Sequence, residues 1–173
     1  MAFNRVKKAI EVNMNLTITP VLPEHDQAIC EIIQKVGAEF GAVGEGYGPS
    51  DAEVSNMSQH YTLENKSLYL VAKLDGKIVG GCGLAPFSSS DKVCELKKLF
   101  LLPDSRGLGL GRKLVSACLD FAREQGFESC YLDTLSNMNA AVRMYETFGF
   151  EHLSQPLEGT EHNSCDVWML KEL

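Results

Sequence analysis

Several features that would place the chain in a particular class of protein are missing from its 173 residues. No apolar stretch approaches the roughly 20 residues that a membrane-spanning helix needs, and no signal-peptide core is visible near the N-terminus. No basic cluster interleaves with aromatic residues and the net charge is −7, which argues against a nucleic-acid-binding surface. We therefore expect a cytoplasmic protein that binds neither membranes nor nucleic acids.

The six cysteines include no C-x-x-C pair. Most of them lie in apolar patterns and nothing marks the chain as secreted, so we predict reduced thiols in the core. His152, His162 and Cys165 could be combined into a metal site, but no pair among them has ligand spacing. We expect no metal. A serine hydrolase is disfavoured because the chain has no G-x-S-x-G elbow.

What the chain does contain is enough apolar sequence for one domain, since 45% of its residues are hydrophobic. The apolar patterning begins near Leu16, so we expect residues 1–14 to be a loose leader and residues 15–173 to form a single domain. As an alternative, the spacing of Phe3, Val6 and Ile10 also fits the apolar face of a short helix. Translation could also begin at Met14.

Periodicity predicts an alternation of strands and helices along this domain. The Asp75-Gly76 pair between two apolar runs predicts a hairpin, and Asp51 is predicted to cap a short helix that contains Met57. The expected strands are Leu16–Pro20, Leu68–Ala72, Ile78–Leu84, Leu99–Leu102, Cys130–Thr134 and one near Asp166–Leu170, and the expected helices are Glu24–Phe40, Leu110–Gln125 and Ala140–Thr147. This order predicts an α+β fold with an antiparallel front half and a βαβ-like back half.

The most informative segment is the glycine-rich stretch Arg106–Arg112, which lies between an apolar run ended by Pro103 and an amphipathic helix. The unpaired N–H groups of a helix N-terminus favour anions, and glycines let a phosphate approach the backbone closely. The segment therefore predicts a phosphate-bearing ligand. Neither the dinucleotide pattern G-x-G-x-x-G nor the P-loop pattern G-x-x-x-x-G-K-[ST] is present.

Counted from Arg106, the segment reads R-x-x-G-x-G, which resembles the pyrophosphate loop [QR]-x-x-G-x-[GA] of the GNAT superfamily of acyl-CoA-dependent N-acetyltransferases. The run Glu95–Pro103 resembles the central strand of that family, and Ala141–Phe150 resembles its A-x-x-x-Y-x-x-x-G-F segment. The resemblance extends over roughly Leu16 to Leu173. It implies the GNAT fold, a mixed sheet of about seven strands flanked by about four helices, with acetyl-CoA as the cofactor.

The resemblance also implies roles for individual residues. A bulge in the central strand would free backbone amides to polarise the acetyl carbonyl, and the pair Lys97-Lys98 interrupts the alternation there. Tyr145 corresponds to the general acid that protonates the thiolate of CoA, and Glu95 to a glutamate that serves as base in some members. As an alternative, Tyr145 packs on the apolar face of its helix. Glu95 could likewise be an exposed carboxylate, or one that orients the substrate. The residues expected to hold the cofactor are Leu99, Phe100 and Leu101 on the strand and Arg106, Gly107, Gly109, Gly111 and Arg112 in the loop, mostly through their amides.

Loops at the acceptor side supply further candidates, because the corresponding loops of GNAT folds wall the acceptor pocket. The residues expected to contact the acceptor are Glu45, Tyr47, Tyr61 and His162. One departure from the family is Met138, which stands seven residues before Tyr145 where many relatives have asparagine. That asparagine's role is not transferred to Asn137 or Asn139.

The resulting hypothesis is an enzyme that moves an acetyl group from acetyl-CoA directly to a primary amine in a ternary complex. We expect a small metabolite or an amino-acid-like amine as acceptor, in preference to a protein lysine or N-terminus. A non-catalytic module that holds acyl-CoA is the alternative from a different class of protein. Members of the family often form homodimers, so a second copy of the chain stays open as a partner.

Overall fold

The computed structural model describes residues 14–173, so the expectation for a loose leader over residues 1–14 falls almost entirely outside the described residues. Seven strands form one sheet in the order β1-β2-β3-β4-β5-β7-β6. They are β1 (Leu16–Pro20), β2 (Leu68–Leu74), β3 (Lys77–Pro86), β4 (Val93–Leu101), β5 (Ser129–Thr134), β6 (Glu151–His152) and β7 (Val167–Glu172). All neighbouring pairs are antiparallel except β4 and β5, which are parallel.

Four α-helices cover the two faces of this sheet: α1 (Asp26–Glu39), α2 (Met57–His60), α3 (Leu110–Glu124) and α4 (Asn139–Thr147). The apolar stripe of α1 (Ile29, Ile32, Ile33, Val36) packs with Met57 of α2 into one core. The stripe of α3 forms a second core with Tyr145 of α4 on the opposite face. The architecture is therefore helix, sheet and helix, with a core on each side of the strands.

The predicted α+β fold is confirmed, and the Asp75-Gly76 turn joins β2 to β3 with both residues at positive φ, as a hairpin of this type requires. The elements differ from the predictions at two places. The first predicted helix begins as a 3₁₀ turn over Pro23–His25 before α1. Strand β6 was not predicted, because its two residues are exposed and carry no apolar alternation.

Asp51 does precede a helical turn, the 3₁₀ segment Ala52–Asn56, but its side chain makes no capping hydrogen bond. The carboxylate instead accepts hydrogen bonds from Lys98 and His162. Asp51 thus occupies the predicted N-cap position, but its carboxylate is engaged by two cationic side chains and leaves the backbone amides of the turn uncapped.

The parallel pair β4–β5 holds together over only three residue pairs, from Val93↔Ser129 to Glu95↔Tyr131. Strand β4 then continues to Leu101 and β5 to Thr134 with no further pairing between them in the described part of the chain. Backbone groups of β4 that point toward β5 beyond Glu95 consequently lack a strand partner. This opening in the sheet positions the candidate site.

All six cysteines carry free thiols, and four of them (Cys82, Cys94, Cys118, Cys130) are buried in the core. Burial raises the pKa of the Cys82 and Cys130 thiols well above the usual value, which keeps them protonated. Within residues 14–173, none of the helices combines the length and the apolar character that crossing a membrane would require.

Candidate active site

A groove of about 530 Å³ runs from the glycine-rich loop to the opening between β4 and β5, within the range of about 300–1,000 Å³ typical of ligand pockets. Its walls come from β4, the loop before α3, and α4. The expected cofactor residues Leu99, Phe100, Leu101, Arg106, Gly107, Gly109, Gly111 and Arg112 all line it. The structure thus brings the whole predicted cofactor set to one surface.

At one end of this groove the backbone forms an anion-binding concavity. Gly107 and Gly109 adopt positive φ angles of 75° and 80°, and α3 begins directly afterwards at Leu110. Over the described residues, no acceptor pairs with the amides of Gly107, Leu108 or Gly109. Alternating backbone of this kind in front of a helix N-terminus collects N–H groups that a phosphate can accept from.

Both arginines of the loop are engaged by other side chains. Arg106 donates two hydrogen bonds to the carboxylate of Glu39 on α1, at 2.7 and 2.8 Å, and its guanidinium lies over the Phe40 ring. Arg112 donates to Thr147 Oγ1 at 2.8 Å and stacks on Phe148. Besides the remaining N–H groups of the two guanidinium groups, the loop therefore offers the unpaired amides of Gly107, Leu108 and Gly109 as donors to a ligand.

Where the groove reaches the sheet, β4 carries a bulge. Gly81 of β3 faces Phe100 and Gly83 faces Lys97, so Lys98 and Leu99 together oppose a single residue. Lys98 adopts φ 56°, an unusual conformation for a residue with a side chain. The interruption of alternation at Lys97-Lys98 thus corresponds to a bulge in the structure.

On the other side of the bulge lies a smaller cavity of about 70 Å³. It contains the candidate base Glu95, the candidate acid Tyr145, and two of the four residues expected to contact an acceptor, Tyr47 and His162. The two cavities share Leu99, Phe100 and Met138 in their walls, so they adjoin at the bulge.

His162 connects the carboxylates of this cavity. Its Nδ1 lies 3.2 Å from Glu95 Oε1 and 3.5 Å from Asp133 Oδ2, and its Nε2 lies 2.9 Å from Asp51 Oδ2. Burial alone would lower the pKa of His162, but hydrogen bonds to Asp133, Asp51 and Glu95 outweigh it and raise the pKa to about 11. The ring is therefore a cation at neutral pH and donates from both nitrogens.

A second cation, Lys98, lies beside the first. Its Nζ donates to Asp51 Oδ2 at 2.8 Å and to Glu53 Oε1, and only 1% of its side chain is exposed. Burial opposes ionisation of Asp51 and Glu53, yet His162 and Lys98 hold the pKa of Asp51 at about 2, and Lys98 with Lys97 does the same for Glu53. Both carboxylates are therefore ionised near neutral pH.

The Tyr145 side chain projects from α4 into the core, with its ring 5.8 Å from that of Phe150 in an edge-on arrangement. Within the described chain its hydroxyl makes no hydrogen bond, although the residue lines the smaller cavity. Burial raises the pKa of this phenol, so it is protonated at neutral pH and available as a donor.

The remaining acceptor candidates lie elsewhere. Tyr61 is buried and donates to Glu53 Oε1 at 2.8 Å, outside both cavity walls. Glu45 also lies outside them, and its backbone carbonyl accepts from Ser164 Oγ. Met138 does line both cavities, while Asn137 donates to the carbonyl of Phe40 at 2.9 Å. The asparagine pattern of the family thus has no counterpart at position 138.

One group of side chains has the donor atoms of a cation site. Glu95, Asp133 and His162 bring one ligand atom each within 4.8 Å of one another. His162 already donates to both carboxylates, and Asp133 also accepts from Tyr131 and Thr160. Each of the three side chains thus has hydrogen-bonding partners within the protein.

Several residues of the smaller cavity escaped the sequence-based reasoning. Lys98 and Asp133, which line it, and Asp51 and Glu53, which pair with Lys98, were not among the expected site residues, although Lys98 interrupts an apolar strand and Asp133 lies near the end of β5. A charged residue inside a buried strand requires a partner, which is a signal the sequence does contain. The identity of that partner depends on contacts between distant segments.

Comparison with known proteins agrees with this geometry. The model of the acetyltransferase (GNAT) family matches residues 35–150, more than half of the chain. The chain belongs to the GNAT family. An uncharacterized N-acetyltransferase of Escherichia coli, YjgM, is 39% identical over 152 residues, which are 87% of this chain and 90% of that protein. The resemblance from which the cofactor residues were inferred is thereby confirmed at the level of the family.

Solved GNAT-like structures share the fold at low sequence identity. The yncA protein of Salmonella typhimurium, solved with its cofactor acetyl-CoA, has a TM-score of 0.73 at 23% identity, covering 91% of this chain and 94% of its own. The PaiA N-acetyltransferase of Thermoplasma acidophilum, solved in complex with coenzyme A, has a TM-score of 0.74 at 18% identity, covering 92% and 99%. The predicted GNAT architecture and the assignment to the N-acetyltransferases are confirmed.

Proposed function

We propose that this GNAT enzyme transfers the acetyl group of acetyl-CoA directly to a primary amine of a small acceptor in a ternary complex. The observation that carries the proposal is the junction of the two cavities at the bulge, through Leu99, Phe100 and Met138. A cofactor in the larger groove would present its acetyl group at this junction. An acceptor in the smaller cavity would meet it from the opposite side.

The cofactor half of the proposal rests on the backbone. The amides of Gly107, Leu108 and Gly109 and the first turn of α3 would hold the pyrophosphate of acetyl-CoA. Amides near Leu99 at the bulge would donate to the acetyl carbonyl and stabilise the negative charge that develops on its oxygen. The yncA and PaiA structures contain acetyl-CoA and coenzyme A, which supports a CoA ligand for this fold.

The chemical half uses the smaller cavity. The acceptor ammonium gives a proton to Glu95, directly or through one water, and the free amine attacks the thioester carbonyl. The carbon–sulfur bond then breaks, and Tyr145 donates its hydroxyl proton to the departing CoA thiolate. The second proton that the acetylated nitrogen must lose passes to the phenolate of Tyr145, directly or through one water, and restores the hydroxyl. Glu95 is held by the contact with His162 Nδ1 at 3.2 Å, so its second task is to hold the ammonium in place.

The size and charge of the smaller cavity favour a compact, positively charged acceptor group. About 70 Å³ admits the amine end of a molecule but no bulky substituent. Glu95 and Asp133 face this space, and Tyr47 forms part of its wall. An amino-acid-like amine or another small metabolite fits these features better than a folded protein segment.

The test is release of free thiol from acetyl-CoA in the presence of a panel of amines. The panel should contain amino acids, diamines, and peptides with either a free N-terminus or a free lysine as their only amine. We expect release above the amine-free background for at least one small amine, with the acetylated product identified by mass spectrometry. Tight binding of acetyl-CoA without turnover on any amine would instead indicate a module that holds acyl-CoA, and turnover on peptides alone would overturn the small-acceptor proposal.

A further inference from the structure

One carboxylate oxygen connects the two parts of the candidate site. Asp51 Oδ2 accepts from Lys98 Nζ at 2.8 Å and from His162 Nε2 at 2.9 Å. Lys98 belongs to the bulge of β4, and the other ring nitrogen of His162 lies 3.2 Å from Glu95. Asp51 itself lies on the segment between α1 and α2, next to the Tyr47–Pro49 wall of the smaller cavity.

The bulge depends on contacts made by Lys98. A lysine at φ 56° is in a conformation that L-residues adopt only when surrounding contacts hold them there. Its buried ammonium is fixed by Asp51 and Glu53 on one side of the strand. Its carbonyl accepts a hydrogen bond from the buried Tyr69 hydroxyl at 3.0 Å. The side chain and the backbone of the bulged residue are thus anchored separately.

Tyr69 reaches the bulge because the strand between them has glycines where its ring passes. A Cβ atom at Gly81 would lie 2.6 Å from the Tyr69 ring, and one at Gly83 would lie 2.7 Å from it. The ring therefore lies flat against β3, with its hydroxyl beneath Lys98. The second anchor is built into the packing of the sheet.

We propose that Asp51 is a positioning residue that sets the bulge of β4 through Lys98 and the orientation of Glu95 through His162. The inference rests on the proposed function, because it assumes that the bulge amides receive the acetyl carbonyl. Asp51 touches neither the acetyl group nor the thiolate in this arrangement. It aligns the groups that do, and it links their geometry to the loop that lines the acceptor cavity.

A positioning role of Asp51 can be distinguished from a role in general stability by comparing the affinities of a variant for acetyl-CoA and for CoA. In the proposed complex the acetyl carbonyl would meet the amides of the bulge, whereas the pyrophosphate would bind at the far end of the groove, beside Gly107 and Gly109. Loss of the correct bulge should therefore weaken binding of acetyl-CoA and leave binding of CoA unchanged. A residue that merely supports the fold would change both affinities together.

The experiment measures the affinities of Asp51→Asn for acetyl-CoA and CoA by calorimetry, and its kcat/KM for acetyl-CoA with the best amine of the panel. The amide keeps the size of the side chain but removes the charge that holds two cations. We expect kcat/KM to fall by about tenfold or more, since misplacing carbonyl-stabilising donors is costly, with a weaker Kd for acetyl-CoA and an unchanged Kd for CoA. Tyr69→Phe removes the hydrogen bond to the Lys98 carbonyl. It should also weaken binding of acetyl-CoA and lower kcat/KM without changing the Kd for CoA, but by smaller factors.

Asp26→Asn provides the matched control, because the Asp26 carboxylate also accepts two hydrogen bonds, from the backbone and hydroxyl of Ser58, but lies outside both cavities. Wild-type behaviour of folded Asp51→Asn, or equal loss of both affinities, overturns the proposal. If Asp51→Asn does not fold, Tyr69→Phe decides by the same two criteria. An absence of wild-type turnover would count against the proposed function alone, since the two affinities remain measurable.

Discussion

The larger cavity is lined by backbone amides and apolar side chains, whereas the smaller one is lined by charged side chains drawn from segments far apart in the chain. Glycines and a helix terminus build the phosphate-binding end of the first within a single stretch around Arg106–Arg112, while its other walls come from β4 and α4. Glu95, Asp133 and His162 meet in the second from two strands and a loop. A local motif thus creates the phosphate-binding end of the cofactor groove, and long-range packing creates the acceptor surface.

The difference has a physical reason. Phosphate recognition by N–H groups requires a backbone conformation, which a few consecutive residues can specify. A buried charge requires an opposite charge nearby, and that partner can come from any part of the sequence. The cofactor side is therefore expected to tolerate side-chain changes that the acceptor side does not.

The largest expected effect belongs to Tyr145, which lines the smaller cavity. Tyr145→Phe keeps the ring against Phe150 and removes only the hydroxyl. We expect kcat to fall by about 10²-fold or more, with a small change in KM for acetyl-CoA, because a proton donor to the thiolate acts in the transition state. Steady-state kinetics on the folded variant measure this, and full activity would return Tyr145 to a packing role.

A smaller effect is expected from Gly109→Ala, which tests the cofactor side. Gly109 has φ 80° and open space around a would-be Cβ, so the cost is backbone strain of roughly 1–2 kcal/mol rather than a clash. We expect the Kd for CoA to rise by about tenfold as the loop leaves its binding conformation. Gly126→Ala is the control, since Gly126 has φ 83° and open space at the other end of α3. Equal CoA affinities of the two variants would contradict the assignment of the loop.

The smallest effect concerns the acceptor side and its pH dependence. The pKa of His162 rises from 6.5 to about 11 on folding, so this residue stabilises the fold fully below pH 6.5 and loses that contribution as the pH rises toward 11. Each 1 kcal/mol lost lowers the Tm by about 2–4 °C in a domain of this size, so we expect a fall of at least that amount between pH 7 and pH 10.

The measurement compares wild type with two histidine variants by thermal unfolding across this pH range. His162→Gln should unfold at a lower temperature at pH 7 and show a flatter dependence on pH. His152→Gln, which changes an exposed histidine paired with Glu146 at the surface, should follow the wild-type curve. If the His162→Gln curve runs parallel to that of wild type, His162 does not hold its proton in the folded state.

The cofactor groove could be predicted from the sequence better than the acceptor cavity. The helix α3 and the loop before it could be predicted because glycine spacing and apolar periodicity are local signals. The bulge was anticipated only from the family and from the interruption at Lys97-Lys98. Asp51 was read as a helix cap because the sequence cannot show that Lys98, 47 positions away, competes for its carboxylate. Tyr61 shows the opposite error. It was expected to contact the acceptor, but its hydroxyl donates to Glu53, a partner that the sequence does not reveal.

The short pairing between β4 and β5 has a mechanical consequence. Only three residue pairs join the four strands that begin the sheet to the three that end it, so backbone hydrogen bonds tie the halves together weakly. Such a seam divides a domain into units that open separately, which amide hydrogen exchange detects. Both cavities lie along this seam, so a bound cofactor and a bound acceptor would contact both halves of the sheet and oppose their separation. We therefore expect the enzyme to be most rigid when both substrates are bound.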